Sequence, residues 1–360
     1  MAGITNWPFR SLCREFAHND GLFVSEMVLA SGLVDEGGNA EKTAMIGAFH
    51  ESESPRSIQL YGTEPELLRR AVRRLIEDEH TRVDSIDLNF GCPMKKITSK
   101  GGGAAIPADP QKLRDIVNAV VQEASRADAP RNVPITAKFR LGLSAELGDT
   151  FLDCGRACED AGIAMVGLHA RYADQMYSGE ADWSKIRTLQ EALTIPVLGN
   201  GDIWTAHDMH QMMEQTGCAG VIIGRGCLGR PWLFAELHAA WNGDTEMSAG
   251  ALSVAMIAST MLRHTHRARD WFCNTYGLPE IRVVESMRKH FRYYCGFLES
   301  RRTASNKTAP LLSEVNRVST FDEVEAFCLR LSHSDDITLN HEVLANPHLI
   351  HKLNRKGLSS

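Results

Sequence analysis

The sequence predicts an α/β protein: a (β/α)8 TIM barrel lacking its first strand, followed by a small all-helical domain. Three observations predict it. Short β-rich runs alternate with amphipathic helical stretches over residues 1–243. Polar residues stand at or just past the ends of nearly all those runs. Beyond residue 243 the periodicity is helical only.

The β-rich runs are 22–26, 57–61, 85–89, 135–139, 165–169, 197–200 and 221–224. Several are continuous apolar stretches, the pattern of a parallel sheet covered by helices. Helical periodicity fills 65–78, 110–127, 150–161, 183–192, 205–216 and 232–241. Repeated units of this length fit a TIM barrel or a doubly wound open sheet. The polar residues Glu26, Gln59, Asn89, Lys138, His169, Asn200 and Arg225 decide between them. In a barrel such ends converge on one mouth, where the active site lies. An open sheet gathers its polar groups at one switch point. No G-x-G-x-x-G follows an early run. The seven runs are one short of a closed barrel. Because the chain passes from Met1-Ala2-Gly3 straight into a turn and a helix at 8–16, the missing element is the first strand.

The region 248–331 holds helical patterns at 251–269, 281–298, 309–318 and 321–331, with no β-rich run. The tail 332–360 is polar and rich in His and Asn, with partial disorder expected. The expected division is a catalytic barrel at 1–243, a helical domain at 248–331 and that tail.

With 43% hydrophobic and 23% charged residues, the 360-residue chain falls in the ordinary soluble range. No apolar stretch approaches the roughly 18 residues of a membrane span. No basic and apolar leader precedes the first helix, so no secretory signal is visible. Nine scattered cysteines without zinc-ligand pairs point to a reducing cytoplasm and to no metal. Cys154 and Cys158, at helical spacing, read as buried apolar residues. The net charge of −6 is uneven. Between Thr260 and Lys307 ten Lys/Arg face four acids, giving +6 there and −12 elsewhere. A basic module on an acidic body suits a polyanionic partner.

In Asp87-Leu88-Asn89-Phe90-Gly91-Cys92-Pro93 a strand ends, Gly91 permits a sharp turn and Cys92 sits on the loop beyond, where barrel chemistry happens. Lys95, Lys96, Lys100 and the glycines 101–103 follow. That thiol is a nucleophile, a proton donor or a structural residue; its loop and neighbours favour chemistry. Gly199-Asn200-Gly201-Asp202 and Gly224-Arg225-Gly226 end the last two runs, the place where barrels build phosphate sites from glycine-rich loops and a helix N-terminus. Arg225 adds a fork-shaped cation. Lys138 and His169 close adjacent runs, and a cation beside a flavin N1–C2=O edge stabilises the reduced ring. Gln59 offers an amide for the flavin pyrimidine edge.

The chain resembles the bacterial tRNA-dihydrouridine synthases. The resemblance rests on Met1-Ala2-Gly3-Ile4-Thr5-Asn6-Trp7-Pro8-Phe9-Arg10, Gln59-Leu60-Tyr61-Gly62, Asn89-Phe90-Gly91-Cys92-Pro93-Met94-Lys95-Lys96, Lys138-Phe139-Arg140, His169-Ala170-Arg171, Gly199-Asn200-Gly201-Asp202-Ile203 and Gly224-Arg225-Gly226-Cys227-Leu228-Gly229-Arg230-Pro231-Trp232. It runs in order through residues 1–330. It implies FMN held by Met1, Ala2, Gln59, Lys138, His169, Asn200, Gly201, Asp202, Gly224 and Arg225, with NADPH as reductant and Cys92 as general acid. It implies tRNA met by Asn89, Lys95, Lys96 and Arg171 near the pocket, and by Arg282, Arg288, Lys289, His290 and Arg292 on a basic helix. The cysteine usage leads us to expect a cytoplasmic protein, and a monomer is expected.

Two departures stand out. The family's first strand ends in Ala-Pro-Met-Ala-Gly, whereas this chain starts at that methionine. The expectation is a native start upstream of Met1. Tyr172 stands where the family often has threonine, beside a substrate loop at 174–179. Two other readings stay open: an FMN barrel oxidoreductase of a small molecule, and a truncated, non-catalytic tRNA-binding paralogue.

Overall fold

The computed structural model describes residues 1–34, 40–243, 252–300 and 308–351. These form two compact units. The first comprises Met1–Thr5, Leu22–Ile203 and His207–Gly224; the second comprises Asn6–Gly21, Trp204–Ala206 and the chain from Arg225 onward.

The first unit is a TIM-barrel-type sheet of seven parallel strands: β1 (Val24–Leu29), β2 (Ser57–Tyr61), β3 (Ser85–Phe90), β4 (Ile135–Arg140), β5 (Met165–His169), β6 (Val197–Asn200) and β7 (Gly220–Ile222). They pair in sequence order, β1 at one end and β7 at the other. The continuous apolar runs explain the parallel arrangement, since Ile86, Leu88, Ala137, Phe139, Val166 and Leu168 are all buried. The connecting helices are amphipathic. In α4 (Pro65–Glu77), Leu68, Ala71, Val72, Leu75 and Ile76 face inward, while the arginines take the outer side. Its Arg69 and Arg73, with Arg126 beyond α6 (Pro110–Ala124), converge on the buried carboxylate of Glu123. In α7 (Phe151–Ala161) Cys154 and Cys158 are fully buried, as expected.

The Glu26 side chain does not close its strand as expected. β1 continues through the apolar Met27-Val28-Leu29, and Glu26 is buried within it, accepting the Gly3 N–H at 2.9 Å.

The second unit gathers α11 (Val254–Ala268), α12 (Glu280–Gly296), α13 (Ala309–Val315) and α14 (Phe321–His333) around an apolar core, against which Phe16 of α1 (Trp7–Phe16) packs; α10 (Leu233–Trp241) lies against α1. Asn6 caps α1, accepting from the Phe9 N–H, and Thr320 with Glu323 forms a capping box on α14. The expected all-helical reading needs correction here. β8 (Leu298–Ser300) pairs antiparallel with β9 (Ile337–Leu339), and α15 (His341–Ala345) follows. The expected tail therefore carries β9 and α15 within its described part; residues 352–360 lie outside the described ones. Arg301, Arg302 and Lys307 of the basic stretch also lie outside them. No described helix is long and apolar enough to cross a membrane.

Candidate active site

Strand register places the polar residues of the first unit in rows. Gln59, Asp87 and Thr136 pair across β2, β3 and β4; Asn89 and Lys138 pair two residues further on. Residues two apart on a strand share a face, so both rows point the same way. The rows are joined by hydrogen bonds. Thr136 Oγ1 and Gln59 Nε2 each donate to the Asp87 carboxylate at 2.7 Å. Asn89 Nδ2 donates to Gln59 Oε1 at 2.7 Å. Asn89 Oδ1 accepts the backbone N–H of Gly91 at 3.1 Å and of Cys92 at 2.9 Å.

The Cys92 loop is fixed on its other side too. The Cys92 carbonyl accepts the Ala104 N–H at 3.1 Å. Gly103 makes this approach possible: its φ is 56°, and a Cβ there would lie 2.6 Å from that carbonyl oxygen. Arg140 Nε donates to the Gly91 carbonyl at 3.1 Å, and its Nη1 donates to the Tyr172 and Met176 carbonyls, each at 2.9 Å. Buried Arg140 thus ties the cysteine loop to the 172–177 segment, with its guanidinium 5.6 Å from the Tyr177 ring centre. The Cys92 thiol is half-buried, whereas Cys13, Cys154, Cys158, Cys218, Cys227, Cys295 and Cys328 are buried.

The Lys138 ammonium makes no hydrogen bond or ion pair among the described residues. Desolvation, reinforced by Arg140, lowers its pKa to about 8 against the opposing attraction of Asp87. Burial lifts the Asp87 carboxyl above its ordinary range, opposed by its bonds to Gln59 and Thr136 and by Lys138.

At the ends of β5 and β6, His169 lies with its Nε2 3.4 Å from Arg171 Nη1, and Asn200 Nδ2 donates to the Ile222 carbonyl at 2.7 Å. Arg171 does not meet tRNA as expected, because it is 1% exposed. Its guanidinium pairs with Asp202 at 2.6 Å and donates to the Gly179 carbonyl at 2.7 Å. It holds the 178–202 region together from inside. Gly201, at φ 126°, is required there: a Cβ would lie 2.6 Å from the Ala181 Cβ. Met1 turns back through its carbonyl, which accepts from Ile4 and Thr5 at 3.0 Å, and Ala2 is exposed. Gly224 has open space around its Cα. In the second unit, the Arg225 guanidinium lies 5.2 Å from the Trp204 ring centre.

The candidate tRNA residues divide. Lys95 and Lys96 are exposed on α5 (Lys95–Thr98). Arg282 and Lys289 are exposed on α12; Arg288 and Arg292 are half-buried, and Arg288 Nε donates to the Val318 carbonyl at 2.9 Å. His290 is buried, packed 5.2 Å from Phe9 and 4.6 Å from His264, so it cannot meet a phosphate as expected. Part of the basic stretch is neutralised internally: Arg263 and Arg267 pair with Glu15, and Arg269 pairs with Glu325. Tyr172 donates its hydroxyl to Asp149, which raises its pKa to about 12.

Sequence reading does not single out Asp87, Thr136 or Arg140. For Asp87 the available signal is a charged residue inside an otherwise apolar strand, two positions before Asn89. Clefts on the outer helices, one lined by Arg114, Asp153 and Arg156, hold none of these residues.

A family model described as "Dihydrouridine synthase (Dus)" matches residues 1–326. A "Probable tRNA-dihydrouridine synthase" of Mycobacterium tuberculosis (strain ATCC 25618 / H37Rv) is 41% identical over 338 residues, 92% of this chain and 80% of that protein. One of Mycobacterium leprae is 41% identical over 356 residues, 92% and 86% of the two chains. "tRNA-dihydrouridine synthase B" of Vibrio vulnificus is 32% identical over 332 residues, 92% and 91% of the two. With a family model spanning most of its length and relatives this similar along nearly all of it, the chain belongs to the dihydrouridine synthase family.

Proposed function

We propose that the chain reduces the 5,6-double bond of uridine in tRNA, with FMN as cofactor and NADPH as reductant. The observation that carries this reading, beside the family, is a pairing at adjoining strand ends. Cys92, half-exposed, sits on a fixed loop just past the end of β3. Lys138, whose ammonium has no hydrogen-bond partner among the described residues, stands on the adjoining β4 in register with Asn89.

The residues fit FMN. The Lys138 ammonium, short of hydrogen bonds, suits the negative N1–C2=O edge of a reduced flavin. Gln59 spends one amide hydrogen and one lone pair on Asp87 and Asn89, and keeps one of each for a ligand. Met1, Ala2, Gln59, Lys138, His169, Asn200, Gly201, Asp202, Gly224 and Arg225 would hold the cofactor, the last two toward its phosphate. When bound, the flavin would supply hydride for uracil C6, and NADPH would replenish it. Cys92 Sγ holds the proton delivered to C5, where negative charge would otherwise build. Asn89 and Arg140 keep that thiol on its loop.

A uridine must leave its stack to be reduced, so tRNA has to be gripped outside the pocket. Lys95 and Lys96 serve beside the thiol; Arg282, Arg288, Lys289 and Arg292 serve on α12. On this reading 1–243 is the catalytic region, 248–331 the tRNA-gripping one and 332–360 a C-terminal extension. The protein acts as a cytoplasmic monomer without metal.

The direct test incubates purified protein with FMN, NADPH and unmodified tRNA, then measures dihydrouridine by nucleoside mass spectrometry. Flavin-loaded protein that forms none overturns the reading. Arg282→Glu with Lys289→Glu is expected to weaken tRNA binding and to lower the log–log salt slope by about 1 per lost phosphate contact. Flavin content is expected to stay the same. Unchanged tRNA affinity at low salt would place the grip elsewhere.

A further inference from the structure

We propose that Asp87 is a positioning residue for the Cys92 loop, acting through the amides of Gln59 and Asn89. The hydrogen-bond chain has a fixed polarity at each end. At one end the two Asp87 oxygens accept from Thr136 Oγ1 and Gln59 Nε2, both at 2.7 Å. At the other end two backbone donors, the N–H groups of Gly91 and Cys92, need an acceptor and find Asn89 Oδ1 at 3.1 and 2.9 Å. Between them lie two amides whose oxygen and nitrogen ends have the same shape. An amide can sit either way round in such a slot, so its neighbours decide its orientation.

A carboxylate accepts and does not donate. It therefore draws Gln59 Nε2 toward itself and turns Gln59 Oε1 toward Asn89. That oxygen draws Asn89 Nδ2 at 2.7 Å and leaves Asn89 Oδ1 facing the loop. Reversing Gln59 sets like against like at two contacts, and reversing Asn89 does so at three. The charge on β3 is thus transmitted through β2 and back to β3, where it orients the acceptor that anchors the thiol-bearing turn.

The chemistry makes a sharp test. In Asp87→Asn the carboxylate's hold on the chain is lost: the new amide can present its nitrogen or its oxygen to Gln59, so a flipped Gln59, and in turn a flipped Asn89, becomes populated. The loop N–H groups then face Asn89 Nδ2 and lose their acceptor. The double variant Asp87→Asn/Asn89→Asp restores every bond, with the polarity reversed only in the two that run through Gln59. The amide introduced at position 87 donates to Gln59 Oε1, and Gln59 Nε2 donates to the carboxylate introduced at position 89. The second oxygen of that carboxylate accepts from Gly91 and Cys92.

The readout is amide hydrogen exchange of the full-length, flavin-loaded protein, followed in peptides covering Gly91 and Cys92. Asp87→Asn is expected to exchange about tenfold faster there, the scale of one hydrogen bond. The double variant is expected to return to the wild-type rate. A residue that merely fills space would not be rescued by moving the charge to position 89. Wild-type exchange in Asp87→Asn, or fast exchange persisting in the double variant, overturns the proposal. If the single variant does not fold, the double variant decides: a folded protein with a slowly exchanging loop supports the relay, and failure to recover refutes it. The consequence for turnover, a lower kcat for uridine reduction at unchanged KM for tRNA, rests on the function proposed above. The exchange measurement does not, so the two can fail separately.

Discussion

Cys92→Ala is expected to bind FMN and accept electrons from NADPH as the wild type does, yet to lose about 10²–10⁴-fold in uridine reduction, the usual contribution of a general acid. The expectation is specific because the loop does not depend on the thiol. Its anchors are the Cys92 N–H on Asn89, the Cys92 carbonyl on Ala104 N–H and the Gly91 carbonyl on Arg140, and an alanine keeps all of them. The methyl group fits wherever the thiol did. The change therefore removes a proton source and little else. Stopped-flow measurement separates the two half-reactions: flavin bleaching by NADPH is expected at the wild-type rate, and reoxidation by tRNA is expected to be slow. Reoxidation at the wild-type rate would assign the proton to another group. Slow bleaching would mean that Cys92 acts on the flavin side.

The barrel strands are legible because their signal is local. A parallel strand buried on both faces is an apolar run, and 57–61, 165–169 and 197–200 match β2, β5 and β6 residue for residue. The end of β1 is misread because a charge resembles a strand end, although the Glu26 carboxylate is used by the Gly3 N–H inside the fold. β8 and β9 span three residues each, too short for a period of two to declare itself. Their partnership joins Ser300 to Ile337, a separation that no local pattern spans.

The site divides in the same way. That Lys138 and His169 stand near strand ends, and Cys92 on the loop past one, is legible because strand-end position is visible in the sequence. Arg171 and His290 are misplaced because their surroundings are not. The partner of Arg171 is Asp202, 31 residues on, and the ring packed on His290 belongs to Phe9. The basic stretch loses part of its force for the same reason, since Glu15 and Glu325 lie outside the window in which charges are counted. Asp87 escapes notice because it precedes the strand end, and its role exists only through Gln59 on the neighbouring strand.

Acidification from pH 7 to pH 5 is expected to destabilise the second unit strongly, through two buried histidines. His264 and His290 stand 4.6 Å apart, ring centre to ring centre, packed beside Phe9. His264 Nδ1 meets the Tyr294 hydroxyl at 3.2 Å, and neither His290 nitrogen has a partner among the described residues. Burial lowers the pKa of His264 to about 3, helped by the charges of Arg267 and Lys289. Burial, His264 and Lys289 lower that of His290 well below the ordinary value. The sign follows from comparing folded and unfolded chains. Above about pH 6.5 both rings are neutral in both states, and pH has no effect through them. Below it the unfolded chain takes up protons that the folded one refuses, so stability falls as pH falls. The loss is about 1.4 kcal/mol per pH unit per ring, or about 2 kcal/mol each by pH 5. Two rings together remove about 4 kcal/mol, a large share of a typical 5–15 kcal/mol. Carboxylates held low by arginine, such as Glu15 and Glu123, lose their contribution only below about pH 4.5, outside this window. The control is His264→Leu/His290→Leu, which keeps the volume and removes the titration. The wild-type melting temperature is expected to drop steeply between pH 6.5 and 5 while that of the double variant stays level. Parallel curves for the two proteins would show that the imidazoles are solvated and able to ionise, and so are not sealed beneath Phe9.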